Sequence, residues 1–299
     1  MTLRPLGALH RRLWLPVVYW AVGALLLMAF SFPMVFMAVS SLKPDDQIFL
    51  DLKTMNAFLP TGDVSLDNYV GVFARVPVAQ FLLNSAFTSA LVVGLGLVVN
   101  SLAGFALTRV RWRGQTVVLG LLIATLIVPF ETIAIPMVFL VSRLPWFSID
   151  SAGLQFQEGL MNTYAVQILP FVANAFSIFL FAQYFKSIPR ELDEAAMVDG
   201  ASWWRVYRTI VMPLAGPVVA TAAILTFLPV WNAYLWPIMT VQKEDLRPIQ
   251  VGLQYFFQEN VEWGQIMAYT TIITLPVLVM FLLFQRAFVA SIASSGVKG

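Results

Sequence analysis

The chain has 299 residues, 59% of them hydrophobic and 11% charged, with a net charge of +2. Soluble domains carry about 25% charged residues, so this composition excludes an ordinary soluble fold, and no nucleic-acid partner is expected. There are no cysteines and one histidine, which excludes a disulfide framework, thiol catalysis and cysteine-type zinc or iron–sulfur sites.

The chain opens on a short basic segment, residues 1–14, in which His10 sits beside Arg11 and Arg12 as a solvated flank residue. Uncharged or nearly uncharged runs long enough to cross a bilayer, about 20 residues, then recur six times. They are Leu15–Ser41, Val76–Thr108, Gly114–Ser142 (interrupted only by Glu131), Gly159–Phe185, Thr209–Gln242 and Trp263–Gln285. None alternates with the period of a β-barrel strand. The first run exceeds the apolar stretch of about 15 residues in a cleaved secretory segment, so it is read as a retained span. The expected fold class is therefore an all-α integral membrane protein with six transmembrane helices. Its membrane body covers residues 15–290, and a tail follows at 291–299.

Charge sets the expected orientation. With both termini in the cytoplasm, the inside loops hold 12 of the 18 Lys and Arg residues. The excess of basic residues belongs on the cytoplasmic face. The reverse orientation would put Arg109, Arg111 and Arg113 outside in one short loop. The first outside loop, about 43–77, is rich in turn residues and long enough for a small extracytoplasmic cap. The largest inside feature is the loop 187–213.

That loop reads as two short helices. Pro189 fits a first helical turn. Glu191, Asp193 and Glu194 follow near the positive end of the helix dipole. Leu192, Ala195 and Ala196 recur at helical spacing and are expected to share one apolar, mostly small face. Gly200 fits the position just past the helix end, where a positive φ is needed. Ser202 is placed to cap a second helix from Trp203, and Pro213 leads into the fifth span. From spacing alone, an amphipathic linker lying on anionic headgroups through Arg205 and Arg208 is an equal alternative.

The run Glu194-Ala195-Ala196, three residues, Gly200, nine residues, Ile210, two residues, Pro213 resembles the EAA signature of ABC importer permeases. Met212 stands where that family usually has Leu. Ile188-Pro189, Asp199-Gly200-Ala201-Ser202, Trp231-Asn232 and the terminal Gly296-Val297-Lys298-Gly299 resemble the carbohydrate-uptake branch, similar to the smaller maltose permease subunit. The likeness departs at Ser148–Gly159, which is longer than usual. The resemblance implies a type I permease fold in a bacterial inner membrane, with a cytoplasmic coupling helix. Glu191, Glu194, Ala195, Ala196, Asp199, Gly200 and Ala201 would meet a separate ATPase. It implies a second homologous permease subunit, two copies of an ATP-binding subunit and an extracytoplasmic solute-binding protein. ATP and Mg would sit on the ATP-binding subunits. This chain has no phosphate-binding Gly-x-x-x-x-Gly-Lys-Ser/Thr loop, no cofactor and no metal cluster of its own, so it is not expected to be an enzyme.

Several polar residues fall inside the runs. Glu131, between Pro129 and Pro136, lies at a depth where an acid usually faces a cavity or the bundle interior. The prolines free carbonyls and can open the helix there. Asn174, Asn232, Tyr234 and Thr271 are the further candidates for a solute pathway, each equally able to bond neighbouring helices. Trp236, near an outer span end, fits an interface belt. A glycerol-3-phosphate importer would fit the same motifs, although no basic pocket appears in the spans. A self-sufficient secondary transporter or channel would want repeats or more intramembrane charge.

Overall fold

The computed structural model describes residues 7–150, 153–258 and 260–296. Arg4, the last three residues of the terminal motif and part of the expected 291–299 tail lie outside them. Helix α1 (Gly7–Ser40) is followed by α2 (Asp45–Asp51), a 3₁₀ turn at Met55–Phe58 and α3 (Asp67–Arg75). Then come α4 (Val78–Ala106), α5 (Gln115–Thr125), α6 (Phe130–Arg143), α7 (Tyr164–Val172) and α8 (Ala175–Ser187). The loop helices are α9 (Glu191–Val198), α10 (Trp203–Val206) and α11 (Met212–Leu214), with a π-turn at Tyr207–Val211. Helices α12 (Gly216–Trp231), α13 (Leu235–Thr240), α14 (Ile249–Gly252) and α15 (Trp263–Gly296) complete the chain. Among the described residues four stretches are long and apolar enough to cross a membrane, or six if each of two bent helix pairs is one span.

Two expected spans are sharply bent. Gly114–Ser142 divides into α5 and α6, bent by 104°. Pro129 has no N–H to give and its ring clashes with the carbonyl four residues back. The chain answers with i→i+3 bonds from Leu126, Ile127 and Val128, at 3.1, 3.2 and 3.2 Å, and restarts at Phe130. Pro136 sits inside α6 without ending it. The fifth run divides at Ala215, with an 81° bend before α12, which starts afresh with a proline in its first turn. The long second loop is an antiparallel hairpin, β1 (Pro145–Asp150) and β2 (Gly153–Glu158), paired Phe147 to Phe156. It adds a two-stranded element to an otherwise helical protein.

The structure forms two compact units. One comprises the chain up to Val76 together with Leu253–Thr274. Its cap is held by Lys43, 1% exposed, which donates to Asp51 Oδ2 at 2.8 Å and to the Asn56 carbonyl at 2.7 Å. The Lys43 bond lowers the Asp51 carboxyl from its ordinary pKa of 3.8, helped by Gln47 and opposed by partial burial. Asp45 accepts from the Trp263 and Gly264 amides at the start of α15, at 2.8 and 2.7 Å. These bonds satisfy two donors that a helix start leaves open.

The other unit, Pro77–Gly252 with Leu275 onward, is organised on α4. Along this helix Asn84, Ser85, Thr88, Val92, Gly96, Asn100, Ser101 and Gly104 are buried, as is Thr108 just past its end. The four-residue recurrence makes one stripe of small and polar residues, the surface that lets membrane helices approach closely. At Gly104 an added Cβ would sit 2.7 Å from the Phe181 Cβ of α8. Asn84 donates to the Asp245 and Arg247 carbonyls at 2.8 and 2.9 Å, and accepts from the Tyr164 hydroxyl at 2.7 Å. Asn100 binds the Val172 carbonyl (3.0 Å) and the Asn174 amide (2.9 Å) across the break between α7 and α8.

Candidate functional site

Two places in the α4-centred unit carry the candidate chemistry. The first is the loop helix α9. It begins at Glu191, not in the turn of Pro189, and Arg190 is its N-cap. Its acids Glu191, Asp193 and Glu194 lie in the first turn, where the helix dipole favours them. The helix ends on Gly200 at φ +81°. There the Gly200 amide bonds the Met197 carbonyl at 3.0 Å and the Ala201 amide bonds the Ala196 carbonyl at 2.9 Å. This pair of bonds closes a helix whose next residue is left-handed. Ser202 then accepts from the Arg205 amide and starts α10.

The faces of α9 differ from the expected pattern. Asp193 is buried at 4% exposure, while Leu192 is 43% and Val198 88% exposed. Ala196 and Ala201 pack against the core of Phe105, Phe181, Phe185, Val206 and Tyr207. Leu192 and Ala195 face away with Glu191, Glu194, Asp199 and Gly200, all exposed. Leu192, Ala195 and Ala196 therefore do not form one face. A buried acid has replaced the apolar anchor, because Arg109 is waiting for it. The Arg109 Nη1 donates to Asp193 Oδ2 at 2.7 Å. The outward face of α9 thus mixes acids with small and apolar side chains, and none of the described residues covers it.

The second place is a cavity of about 380 Å³ between α4, α6, α7, α12 and α13. Glu131 and Tyr234 line it, with Thr88, Gln167, Phe130, Phe171 and Trp236. The break at Pro129 puts Glu131 in the first turn of α6, so its carboxylate sits at a helix N-terminus, where negative charge is favoured. Phe130, Phe171 and Trp236 form an aromatic cluster with centroids 5.8–6.0 Å apart, Trp236 meeting each phenylalanine edge-to-face. Trp236 is 2% exposed and donates to the Val166 carbonyl at 2.9 Å. It belongs to this cluster and not to an interface belt. Gln167 is buried and spends its amide N–H on the Leu246 carbonyl at 3.1 Å. Glu131 is the one charged residue among the described residues of the lining. A carboxylate, an amide oxygen, a phenol and aromatic faces are able to hold a hydroxyl-rich solute.

The other sequence candidates are engaged elsewhere. Asn174 caps α8 by accepting from the Ser177 amide at 2.9 Å. Asn232 donates to the Leu228 carbonyl at 2.9 Å and accepts from Gln250 at 3.0 Å. Thr271, in the capped unit, donates to the Met267 carbonyl at 2.7 Å. Sequence reasoning missed Arg109, counted only as a topological charge, and the polar stripe of α4, whose signal is its four-residue spacing. Among the described residues no group of three or more His, Asp or Glu side chains is arranged to hold a metal.

Residues 93–294 match the family model described as "Binding-protein-dependent transport system inner membrane component". The chain is 32% identical over 280 residues to the lactose transport system permease protein LacG of Rhizobium radiobacter, covering 93% of this chain and 95% of that one. It is 29% identical over 289 residues to the arabinooligosaccharides transport system permease protein AraQ of Halalkalibacterium halodurans, covering 95% and 98%. Its fold matches a chain of a bacterial ABC transporter involved in the import of the acidic polysaccharide alginate. There the TM-score is 0.73 at 20% identity, over 96% of this chain and 99% of that one. With a signature-bearing loop helix set among broken apolar helices, and a match across most of its length, this chain belongs to the family of inner membrane components of binding-protein-dependent transport systems.

Proposed function

We propose that this chain is a membrane subunit of an ATP-driven importer for a carbohydrate or similar polyhydroxyl solute, forming half of the translocation pathway. What carries this reading is the near end-to-end likeness to permeases named for sugars, 32% identical to the lactose permease over 93% of this chain. Both termini and α9 face the cytoplasm. The exposed face of α9, with Glu191, Glu194, Ala195, Asp199 and Gly200, docks in a cleft of a separate ATP-binding subunit. Ala196 and Ala201 support that face from behind. Two copies of that subunit hold ATP and Mg and do the hydrolysis, and a second, homologous permease completes the pathway. An extracytoplasmic solute-binding protein delivers the solute, a partner seen with one fold neighbour, the alginate transporter in complex with its pentasaccharide-bound periplasmic protein. Closure of the ATPase pair moves α9 and shifts the spans between two rigid arrangements.

Within this reading Glu131 and Tyr234 contribute to the solute pathway. The lining of their cavity contains no Lys or Arg, so a neutral polyol suits it better than glycerol 3-phosphate. The test is affinity purification of the tagged chain from its native membrane, followed by reconstitution. Recovery of a second permease and an ATP-binding subunit, with sugar uptake that needs ATP, is the expected result. Uptake by the chain alone, or purification free of any ATP-binding protein, would refute the reading.

A further inference from the structure

Arg109 lies three residues past the end of α4 and is 3% exposed. Its guanidinium joins three elements. Nη1 donates to Asp193 Oδ2 in the first turn of α9, at 2.7 Å. Nη2 donates to the Ile188 carbonyl at 2.7 Å and to the Phe185 carbonyl. Those carbonyls belong to the last turn and C-cap of α8, where a helix leaves acceptors open and concentrates negative partial charge. Arg190 returns the contact from the other side, donating to the Thr108 carbonyl at 2.9 Å. The linker between α8 and α9 is therefore tied to the end of α4 in both directions.

Stability alone does not explain this arrangement. Arg109 Nε and Asp193 Oδ1 are buried without a hydrogen-bond partner. A buried pair left so incompletely satisfied is often no better than apolar side chains of similar volume. What the pair adds is fixed geometry, because a planar guanidinium reaches several acceptors at set angles, which an ammonium does not.

We propose that Arg109 is a positioning residue, locking α9 to α4 and α8 so that a displacement of α9 is delivered to these spans instead of being absorbed in the linker. This rests on the reading of α9 as the docking element for an ATPase. The clamp would not touch the ATPase, since both of its side chains are buried behind α9.

The chain has no cysteine, so a single Thr132→Cys, exposed and adjacent to Glu131, reports on the cavity region. The purified complex with its ATP-binding subunits is labelled with a maleimide, nucleotide-free and then trapped with ATP and vanadate. Modification of this chain is read by mass spectrometry. With Arg109 and Asp193 present, trapping should change the labelling rate by about fivefold or more, the scale of ordinary coupling between sites. With Arg109→Met plus Asp193→Leu, the complex should still assemble and hydrolyse ATP, while the response falls to about onefold. Structural damage would lose assembly and hydrolysis as well. Asp193→Asn, which keeps shape and one acceptor oxygen, should give a reduced response even if the double variant is poorly recovered. Arg109→Lys should fall between wild type and the double variant. A full response in Asp193→Asn or in the double variant overturns the clamp. So does an unchanged labelling rate in the wild-type complex. A wild-type chain that recovers no ATP-binding subunit overturns the function reading, and the clamp with it.

Discussion

Gly200 offers a test in which sterics and backbone conformation separate. Its φ is +81°, and a Cβ built there would meet nothing within 4 Å. Within this chain a replacement therefore costs backbone strain without a clash at Cβ. An L-residue in the left-handed region costs about 1–2 kcal/mol, and Asn is the side chain that visits it most readily. A β-branched residue fares worst. An energy of about 1–2 kcal/mol shifts a two-state equilibrium about 5–30-fold. The shift falls on the bend that aims the exposed face of α9, while the packed core is untouched. The series Gly200→Asn, Gly200→Ala and Gly200→Val should therefore lose ATP-binding-subunit capture and uptake in that order. Gly200→Ala should lie about 5–30-fold below wild type, and all three should match wild type in membrane insertion and yield. Capture is read by quantitative pull-down and uptake in reconstituted vesicles. Equal behaviour of Ala and Gly would refute the conformational argument. So would a loss with Asn as large as with Val, since the side chain and not the angle would then be at fault.

Other outcomes follow from single observations. Glu131→Gln keeps shape but removes the one charge lining the cavity. Losing a charge-assisted bond of about 1.5–3 kcal/mol should lower uptake at limiting solute roughly tenfold or more, with the ATPase complex intact. Unchanged uptake and unchanged ATP coupling would make Glu131 a structural residue. Gly104→Ala places a Cβ 2.7 Å from the Phe181 Cβ and 3.1 Å from the Ala182 nitrogen, so α4 and α8 must separate. A loss of about 1–3 kcal/mol is expected in reversible unfolding in mixed micelles. Gly94→Ala, with nothing within 4 Å, should be neutral or gain about 0.5–1 kcal/mol, and equal effects at the two glycines would refute the close-approach argument. In the cap, the Lys43 bond holds the Asp51 carboxyl below its ordinary value of 3.8. The unfolded state then binds the proton first as pH falls, so this contribution is complete above pH 3.8 and is lost as pH drops through the lowered value. Limited proteolysis of the cap should show that acid step in wild type. Asp51→Asn should lack it and be more cleavable at neutral pH; an identical acid profile in the variant would exclude Asp51 as its source.

Much was legible in the linear order of residues, because the membrane and the backbone impose local rules. Apolar run length located the six membrane regions, since a bilayer core demands about 20 residues per crossing. The shape of α9 was equally local: Gly200 at a left-handed C-terminus and Ser202 as the next cap depend on residues only a few positions apart. Pro129 and Pro136 together pointed to an opened helix for the same reason, and it opens at Pro129 while Pro136 stays inside α6. What distance along the chain concealed, packing decided. Nothing near Asp193 announces that it turns inward, because its partner Arg109 is 84 residues away. The faces expected for Leu192 and Ala195 followed from treating α9 as free, and the buried acid reversed them. Asn174 and Asn232 looked available until the structure gave their side chains to a helix cap and to Gln250. Helix period, caps and breaks are set by bonds within one turn, so sequence determines them. Which side chain meets which across two helices is a contest among many burial and hydrogen-bond energies, and only the assembled fold resolves it.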